Sequence, residues 1–341
     1  MNKAFQGLSR RDFLRLAAMG GGVLVIAAVG KELPRFEVIP TYESSIQALG
    51  TTVSIRIEGE EDDATAGLAA EEAFAEVGRL EKLFTRFPGG TEVCSLNQTG
   101  SIENPASELS EVVRDATRFS DNTGGSFDIT VEPVLDALQG FLMGQPFPSD
   151  SQFEAMKQLI DYERVVLSGQ SLDLTLPGMK VTLDGIAEGY ILDSAAATLR
   201  ANNIRSALVN VGGSIAAVGG RGDGTPWEIG IVNPLDPDET LGTLLIKDQA
   251  VTTSGDYENY FTADKTYYHI IDPTTARSPL YSHSATVVAT SAAEADRMGV
   301  VLMVDDPTVG TKLADGWDCE YLLYTRAAGP LTSSGLKELM A

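Results

Sequence analysis

Residues 184–213 read DGIAEGYILDSAAATLRANNIRSALVNVGG. The alanine-rich run Ile186–Asn202 predicts a helix, and the apolar run Ala207–Val211 predicts a strand that ends on a Gly-Gly turn. A glycine-containing loop that leads into a helix N-terminus suits phosphate groups. Glu188 in the first turn fits an anionic ligand only if a cation lies between the two. The alternative is a plain helix start, where the helix dipole favours a glutamate.

Strands and helices alternate irregularly along the rest of the chain. The predicted strands are Thr51–Ile57, Val165–Ser168, Leu172–Leu176, Trp227–Val232, Leu241–Lys247, Tyr267–Ile271, Ala285–Ala289 and Tyr321–Tyr324. The predicted helices are Asp62–Leu83, Ser107–Ser120 and Ala292–Val304, and Gly140–Ser151 is predicted to be a surface loop. Strand-rich blocks with inserted helices indicate an α+β fold with mixed, largely antiparallel sheets. No domain-separating linker is visible from Lys31 onward, so residues 31–341 are predicted to form a single domain.

The N-terminal 30 residues predict a targeting segment. Arg10 and Arg11 precede a Phe-Leu step, and the uncharged run Leu16–Gly30 follows. This pattern is typical of a twin-arginine export signal, and the run is short for a membrane span. A short buried helix is the alternative, but three consecutive glycines (Gly20–Gly22) disfavour it. We therefore expect a periplasmic or other extracytoplasmic location. The pattern leaves open whether the segment is cleaved or retained as the protein's sole membrane contact.

The charge balance restricts the classes of partner. The chain has 25 Lys and Arg against 48 Asp and Glu, a net charge of −23. A surface this acidic repels nucleic acid and anionic lipid, so we expect neither as a general partner. An anionic ligand would need a divalent metal, backbone N–H groups or local cations. Cys94 and Cys319 allow one disulfide or two free thiols, and they are too few for a structural zinc site.

Two further glycine-containing motifs could contact a ligand. In Thr123–Thr130 (TGGSFDIT), the glycines permit close backbone approach, and Phe127 and Asp128 could stack on and hydrogen-bond to a ligand. The stretch Val251–Tyr257 is dense in hydroxyl groups. For each motif, an ordinary turn is the alternative interpretation.

Histidines and one helix-start carboxylate supply further candidates. His269 lies three residues before Asp272, and a histidine beside a carboxylate is typical of acid/base catalysis, with a structural histidine as the alternative. His283 has no carboxylate close in sequence and is predicted to lie in a surface loop. Asp296 could bind Mg²⁺ or Ca²⁺ as a hard oxygen ligand, or could simply favour the start of its helix.

Taken in order, these motifs resemble the ApbE family of FAD:protein FMN transferases over residues 48–325. The matching stretches are Leu49–Thr52, Leu80–Phe87 with Leu96-Asn97, Thr123–Asp128, Ile186–Tyr190 with Asp193, Asn210–Gly213, Thr253–Tyr257 and His269–Pro273. The P-loop, the Rossmann fingerprint and the GxSxG motif are absent from the sequence.

The resemblance implies an ApbE-like α+β fold and an enzyme that binds FAD with a divalent metal, Mg²⁺ or Ca²⁺. Such an enzyme transfers the FMN part of FAD to a threonine of an exported acceptor protein and releases AMP. Two alternatives stay open: an FAD-binding relative with weak or no transferase activity, and an FAD pyrophosphatase.

The resemblance also implies roles for individual residues. The residues expected to contact the cofactor are Leu49, Phe87, Ser126, Phe127, Asp128, Glu188 and Ile271, the last through its backbone. The residue expected to act as the catalytic base is His269. The residues expected to hold the metal are Asp296 and, through main-chain carbonyls, Gly185 and Ala187.

The chain departs from the family pattern near the expected metal. Val300 stands where the family usually has a threonine, so one oxygen ligand is missing, and Asp184 nearby could replace it. Ala276 stands where a glycine is usual, and Thr182 where many members have aspartate. These differences bear on metal affinity and catalytic rate more than on fold or FAD binding.

Overall fold

A computed structural model describes residues 39–60, 62–86, 91–257 and 259–341, which contain three sheets. In chain order the strands are β1 (Thr41–Ala48), β2 (Thr51–Glu58), β3 (Ser101–Glu103), β4 (Val165–Ser168), β5 (Ser171–Leu174), β6 (Ala207–Val211), β7 (Ser214–Val218), β8 (Trp227–Asn233), β9 (Asp236–Ile246), β10 (Ala250–Gly255), β11 (Ser282–Ala289), β12 (Cys319–Thr325) and β13 (Gly329–Thr332). The helices are α1 (Asp63–Phe84), α2 (Glu92–Thr99), α3 (Ser107–Asn122), α4 (Glu132–Leu142), α5 (Asp150–Lys157), α6 (Ala187–Ala201), α7 (Ala292–Val304) and α8 (Pro307–Ala314).

The largest sheet has eight strands in the order β1-β2-β6-β7-β10-β11-β12-β13, and every neighbouring pair is antiparallel. A three-stranded sheet (β3-β5-β4) and the β8–β9 hairpin complete the strand pairing of the described residues. Helices α1, α6 and α7 form a layer with the large sheet, since α1 packs on α6, α6 on α7, and α7 on β10 and β11. This arrangement is the predicted α+β fold with antiparallel sheets.

Helix α1 shows how small side chains build that layer. Asp62 caps the helix by accepting a hydrogen bond from the Ala64 backbone. The buried residues recur at helical spacing and half of them are alanines, namely Ala66, Ala69, Ala70, Ala73, Phe74, Val77, Leu80 and Phe84. Alanines let the axis of a neighbouring helix approach closely, and α1 packs on α6 in this way.

Several sequence predictions are confirmed and a few are wrong. Helix α7 has the predicted bounds, and the predicted strands Val165–Ser168 and Leu172–Leu176 form the antiparallel pair β4–β5. The predicted strand at Tyr267–Ile271 does not form, because this segment makes only one isolated bridge, between Tyr268 and Tyr260. The predicted loop Gly140–Ser151 is shorter, since α4 continues to Leu142 and α5 begins at Asp150. Both cysteines are free thiols. The predicted export signal lies outside the described residues.

Within the described ranges, no helix is both long and apolar enough to cross a bilayer.

Candidate active site

A cavity of about 770 Å³ lies between helix ends and the strand ends and turns at one end of the large sheet. This volume is in the range of ligand-binding sites. Its wall combines the β1–β2 turn, the end of α1, the start of α6, the β6–β7 turn, β10 with the segment after it, and the first turns of α7. The lining residues are Leu49, Gly50, Thr51, Glu81, Phe84, Thr85, Arg86, Gln139, Leu142, Asp184, Ala187, Glu188, Ile191, Gly212, Ser214, Thr253, Ser254, Gly255, Tyr257, Asn259, Tyr260, Phe261, His269 and Asp296.

The β1–β2 turn brings Leu49 to the cavity in a strained conformation. Because Ala48 pairs with Thr51, the loop has only two residues, and both have positive φ: 55° at Leu49 and 72° at Gly50. This geometry matches the tight turn that antiparallel strands favour, but it costs energy for a leucine. The backbone N–H of Leu49 donates to Glu81 Oε1 at 2.6 Å, which fixes the turn against α1.

Helices α6 and α7 cap each other at their N-termini. Asp193 of α6 accepts hydrogen bonds from the backbone N–H groups of Ala292 (2.8 Å) and Ala293 (3.0 Å) of α7. In return, Asp296 Oδ2 of α7 accepts one from the backbone N–H of Gly189 of α6 at 3.3 Å. Two carboxylates are thus held at two positive helix ends, and one of them, Asp296, faces the cavity.

Asp296 is a carboxylate in an environment that opposes its charge. Burial, followed by the nearby charge of Glu188, raises the pKa of Asp296 well above its ordinary value. Asp184 and Glu188 line the same wall. A divalent cation would offset this crowding of negative charge and favour the ionised form of Asp296. The donor set therefore fits a hard cation.

The described residues contain no group of three His, Cys, Asp or Glu side chains arranged to hold a metal ion. A cation at Asp296 would consequently need main-chain oxygens as well. Ala187 lies on the same wall, and Gly185 lies next to the lining residue Asp184. A Cβ atom at Gly185 would lie 3.1 Å from Val300 Cγ2 and 3.3 Å from Phe127 Cε2. The Gly185 backbone is therefore packed directly against Val300.

Arg86 lies at the wall between two carboxylates. Its guanidinium contacts Glu132 Oε1 at 2.9 Å and Asp184 Oδ2 at 3.0 Å, and its side chain is only 9% exposed. Although burial opposes the charge, these two carboxylates raise the pKa of Arg86. Burial also raises the pKa of Glu132. Of the described lining residues, Arg86 is the one with a permanent positive charge.

His269 lies on the same wall as Asp296, as predicted for a site that joins base and metal ligand. It is half-buried, and its Nδ1 atom is enclosed without a hydrogen-bond partner among the described residues. Burial lowers the pKa of His269, while the charge of Asp184 opposes this shift. The neutral imidazole, which can accept a proton, is therefore favoured at neutral pH.

The expected partnership of His269 with Asp272 is wrong. Asp272 accepts hydrogen bonds from Thr274 and Thr275, within its own turn. Asp184, 85 positions earlier in the chain, is the carboxylate whose charge acts on His269. Asp272 was suggested only because it lies three residues after His269, but its carboxylate is used within its own turn.

The prediction for His283 also needs correction, since this residue lies in β11 and has a carboxylate partner. Its Nδ1 atom is 2.9 Å from Oδ2 of the buried Asp256, which also contacts Arg326 at 2.6 Å. Asp256 directly follows Gly255 of the cavity wall, but neither Asp256 nor His283 lines the cavity. The 27 positions between Asp256 and His283 hid the pair in the sequence.

The structure does not bring every expected cofactor contact to the cavity. Ser126 donates to Asp305 at 2.8 Å, and Asp128 caps the turn Ile129–Val131. Phe127 packs on Phe119 in the core, with ring centroids 5.4 Å apart. The four other expected contacts are placed as follows: Ile271 is buried in a separate hydrophobic cluster, Leu49 and Glu188 line the cavity, and Phe87 lies outside the described residues.

Other lining residues were not among the predicted contacts. Gln139, Leu142, Tyr260 and Phe261 belong to no recognisable motif and reach the wall only through the folding of α4 and of the segment after β10. Arg86 and Thr253 lie within motifs that the sequence did show, and spacing from those motifs could have suggested them.

Together, the fold and the cavity indicate an α+β enzyme with one ligand-binding site, in which a neutral histidine and a buried carboxylate lie on the same wall. Comparison with known proteins is more specific: the ApbE family model matches residues 49–323, and the chain belongs to the ApbE family.

Curated relatives carry one common name. The chain is similar to the "FAD:protein FMN transferase" of Vibrio cholerae serotype O1, with 33% identity over 257 residues, which cover 73% of this chain and 75% of the relative. The Escherichia coli K12 protein of the same name is 33% identical over 240 residues, covering 67% of this chain and 68% of the relative.

Solved structures agree with this assignment. The crystal structure of the ApbE protein from Thermotoga maritima has a TM-score of 0.81 and 26% identity, covering 89% of this chain and all of that one. The flavin transferase ApbE from Vibrio cholerae has a TM-score of 0.78 and 26% identity, covering 88% of this chain and 99% of that one.

Proposed function

We propose that this chain is an FAD:protein FMN transferase, which moves the FMN part of FAD to a threonine of an acceptor protein and releases AMP. The observation that carries the proposal is the convergence of His269 and Asp296 on one cavity in a chain of the ApbE family. The names of the relatives support flavin transfer as the reaction.

The transfer forms one O–P bond and breaks another, and a residue of the cavity wall can accept the proton that is released. The threonine oxygen attacks the phosphorus on the FMN side of the pyrophosphate and forms a new O–P bond. The bond from that phosphorus to the bridging oxygen breaks, and AMP leaves with the bridging oxygen. The threonine proton passes to the imidazole of His269, which is neutral because burial lowers its pKa.

The remaining groups act through charge and position. Asp296, with main-chain carbonyls of Gly185 or Ala187 and with Asp184 nearby, would hold a divalent cation, Mg²⁺ or Ca²⁺. When bound, such a cation offsets the pyrophosphate charge and polarises phosphorus for attack. Arg86 adds a fixed positive charge at the wall, held in place by Glu132 and Asp184. The strained turn at Leu49 presents an apolar side chain to the ring systems of FAD.

The proposed site of action is outside the cytoplasm. The twin-arginine pattern at Arg10-Arg11 supports export, and that route carries proteins that are already folded. The acceptor would then be another exported protein.

The metal role can be tested with a matched pair of substitutions. Asp296→Asn removes the buried carboxylate charge, and Asp238→Asn makes the same chemical change at an exposed position of β9. AMP release from FAD is measured with Mg²⁺, with chelator, and with an acceptor domain present or absent. We expect wild type and Asp238→Asn to release AMP only with Mg²⁺ and Asp296→Asn to be at least about 100-fold slower. A rate of AMP release that changes neither with chelator nor with Asp296→Asn would contradict the proposed metal role.

The same assay separates the alternative activities. AMP release without an FMN adduct on the acceptor would favour an FAD pyrophosphatase. Tight FAD binding with neither product would indicate a binding protein, in which Val300 in place of the expected threonine weakens the metal site.

A further inference from the structure

A second cavity, of about 320 Å³, lies between α3, α6 and the start of α7. This volume is at the lower end of the range for small-molecule sites. Tyr190 and Ala197 of α6 line it, whereas Glu188 and Ile191 of the same helix line the candidate active site. The two pairs lie on different faces of the helix. Among the described residues the two cavities share no lining residue, so the second cavity is a separate place on the molecule.

Arg297 of α7 supplies a guanidinium to the wall of the second cavity. Its Cζ atom lies over the Phe119 ring, 4.9 Å from the centroid, so a cation–π contact supports one side of the group. Its Nε atom is buried and has no hydrogen-bond partner in the part of the chain that the structure describes. Leaving a buried charged donor unpaired costs free energy, which an anionic ligand in the cavity would offset.

Three carboxylates act on Arg297 through their charge without making an ion pair with it in the described ranges. Burial lowers the pKa of Arg297, whereas Asp115 and Glu294, and more weakly Asp193, oppose this shift. Asp115 contacts Arg118 at 2.9 Å, and Asp193 accepts the backbone hydrogen bonds that cap α7. Glu294 does not line the cavity. The guanidinium of Arg297 is therefore available to a ligand.

Most of the remaining wall is apolar. Val112 of α3, Ile186 at the start of α6 and Ala293 of α7 contribute hydrocarbon surface. The Tyr190 hydroxyl donates to Glu111 at 3.1 Å, so its hydrogen bond is already used within the protein. A ligand that fits this wall combines one anionic group with a compact apolar body.

We propose that the second cavity binds a compact organic monocarboxylate, whose carboxylate pairs with Arg297 and whose apolar body packs on the hydrocarbon wall. The planar guanidinium matches a carboxylate in geometry and can bind it through two hydrogen bonds. A doubly charged phosphate fits less well, because Asp115 and Asp193 line the same cavity and would repel the second charge. The proposal does not depend on the transferase reaction, since the site lies outside the candidate active site.

Benzoate and benzamide test the proposal, because they share a ring and differ in charge. Ligand-observed NMR titrations measure their affinities for the full chain as wild type, Arg297→Gln and Arg114→Gln. Arg297→Gln removes the charge from the cavity. Arg114→Gln makes the same change at an exposed position of α3 that does not line the cavity, and it serves as the matched control.

We expect wild type and Arg114→Gln to bind benzoate at least about tenfold more tightly than benzamide, the factor typical of one charge-assisted pair. Arg297→Gln should lose this preference. Equal affinities of the two probes for wild type, or an unchanged preference in Arg297→Gln, would overturn the proposal. So would the absence of saturable benzoate binding up to about 10 mM. Tighter binding of inorganic phosphate than of benzoate would overturn the assignment to carboxylates.

A second pair of variants tests the place of binding without changing Arg297. Ala197→Leu adds a side chain at an exposed position of α6 that lines the second cavity, and Ala201→Leu adds the same side chain to α6 away from it. We expect Ala197→Leu to weaken benzoate binding about tenfold, because the added side chain occupies cavity volume. Ala201→Leu should bind benzoate as wild type does. Benzoate binding that is unchanged in Ala197→Leu would contradict a site in this cavity.

Discussion

Replacing Gly189 with alanine should separate the two helices that hold the candidate metal site. An added Cβ would lie 2.5 Å from Ala292 O, 2.5 Å from Ala293 Cα and 2.6 Å from Ala292 C. All three are backbone atoms of the α7 start and its N-terminal turn, so no side-chain rotation can relieve the contact. Ordinary contact begins near 3.4 Å, so α6 and α7 must move apart by about 1 Å.

Two opposing effects determine how much Gly189→Ala changes the free energy of unfolding. Overpacking of a tight contact costs about 1–3 kcal/mol, whereas alanine gains up to about 1 kcal/mol over glycine within a helix. The hydrogen bond from Gly189 N–H to Asp296 Oδ2, already 3.3 Å long, would be lost as the helices separate. We therefore expect the free energy of unfolding to fall by about 2 kcal/mol and Mg²⁺-dependent AMP release to fall with it.

Gly78→Ala provides the control. Gly78 lies within α1, and an added Cβ there would meet no atom within 4 Å. The same substitution should raise the free energy of unfolding by about 0.5–1 kcal/mol. Urea denaturation of both variants measures the two changes, which should have opposite signs. A Gly189→Ala protein as stable and as active as wild type would refute the reasoning about the helix contact.

Three further predictions concern the metal site, the catalytic base and the export signal. Val300→Thr adds a hydroxyl beside Gly185 and should lower the Mg²⁺ concentration for half-maximal AMP release by roughly tenfold. This factor corresponds to about 1.5 kcal/mol, the free energy of one hydrogen-bond-like contact to a charged group. An unchanged Mg²⁺ titration would count against a metal site at this position. Because burial lowers the pKa of His269 and the neutral form is the base, the rate should be full at neutral pH and fall as pH drops through a midpoint below 6.5, as a pH–rate profile would show. Because the unfolded chain binds this proton at a higher pH than the folded chain does, acidification below pH 6.5 should also lower the free energy of unfolding. Replacing Arg10 and Arg11 together by lysine should leave most of the protein in the cytoplasm on cell fractionation, whereas unchanged export would argue against the twin-arginine route.

Local sequence patterns predicted the elements whose burial is regular. Helix α7 has its predicted bounds, and the structure shows that Ser291 caps its start. The segment Tyr267–Ile271 was wrongly predicted as a strand because its aromatic and β-branched residues favour strands, but in the structure it makes only one isolated bridge, between Tyr268 and Tyr260.

The candidate site was predictable from the sequence only where a single motif carries several neighbouring site residues. Glu188 and Ala187 lie together because one helix start carries both, and Asp296 joins them because Gly189 allows α7 to approach. Pairings across long separations left no local signal. Asp184 acts on His269 and Asp256 binds His283, and in both cases the partner is set by strand and helix packing. The motif around Phe127 pointed to the cofactor, yet its side chain supports the Gly185 backbone from the core.

The most direct test of the account is the intact mass of an exported acceptor domain after incubation with FAD and Mg²⁺. Wild type is compared with His269→Ala and with His283→Ala, which removes the other histidine, outside the cavity wall. We expect an FMN adduct on a threonine, with one AMP released per adduct, for wild type and His283→Ala, and no adduct for His269→Ala even though that variant still binds FAD. Equal adduct formation by His269→Ala, or an acceptor left unmodified by an FAD-bound wild type, would contradict the account.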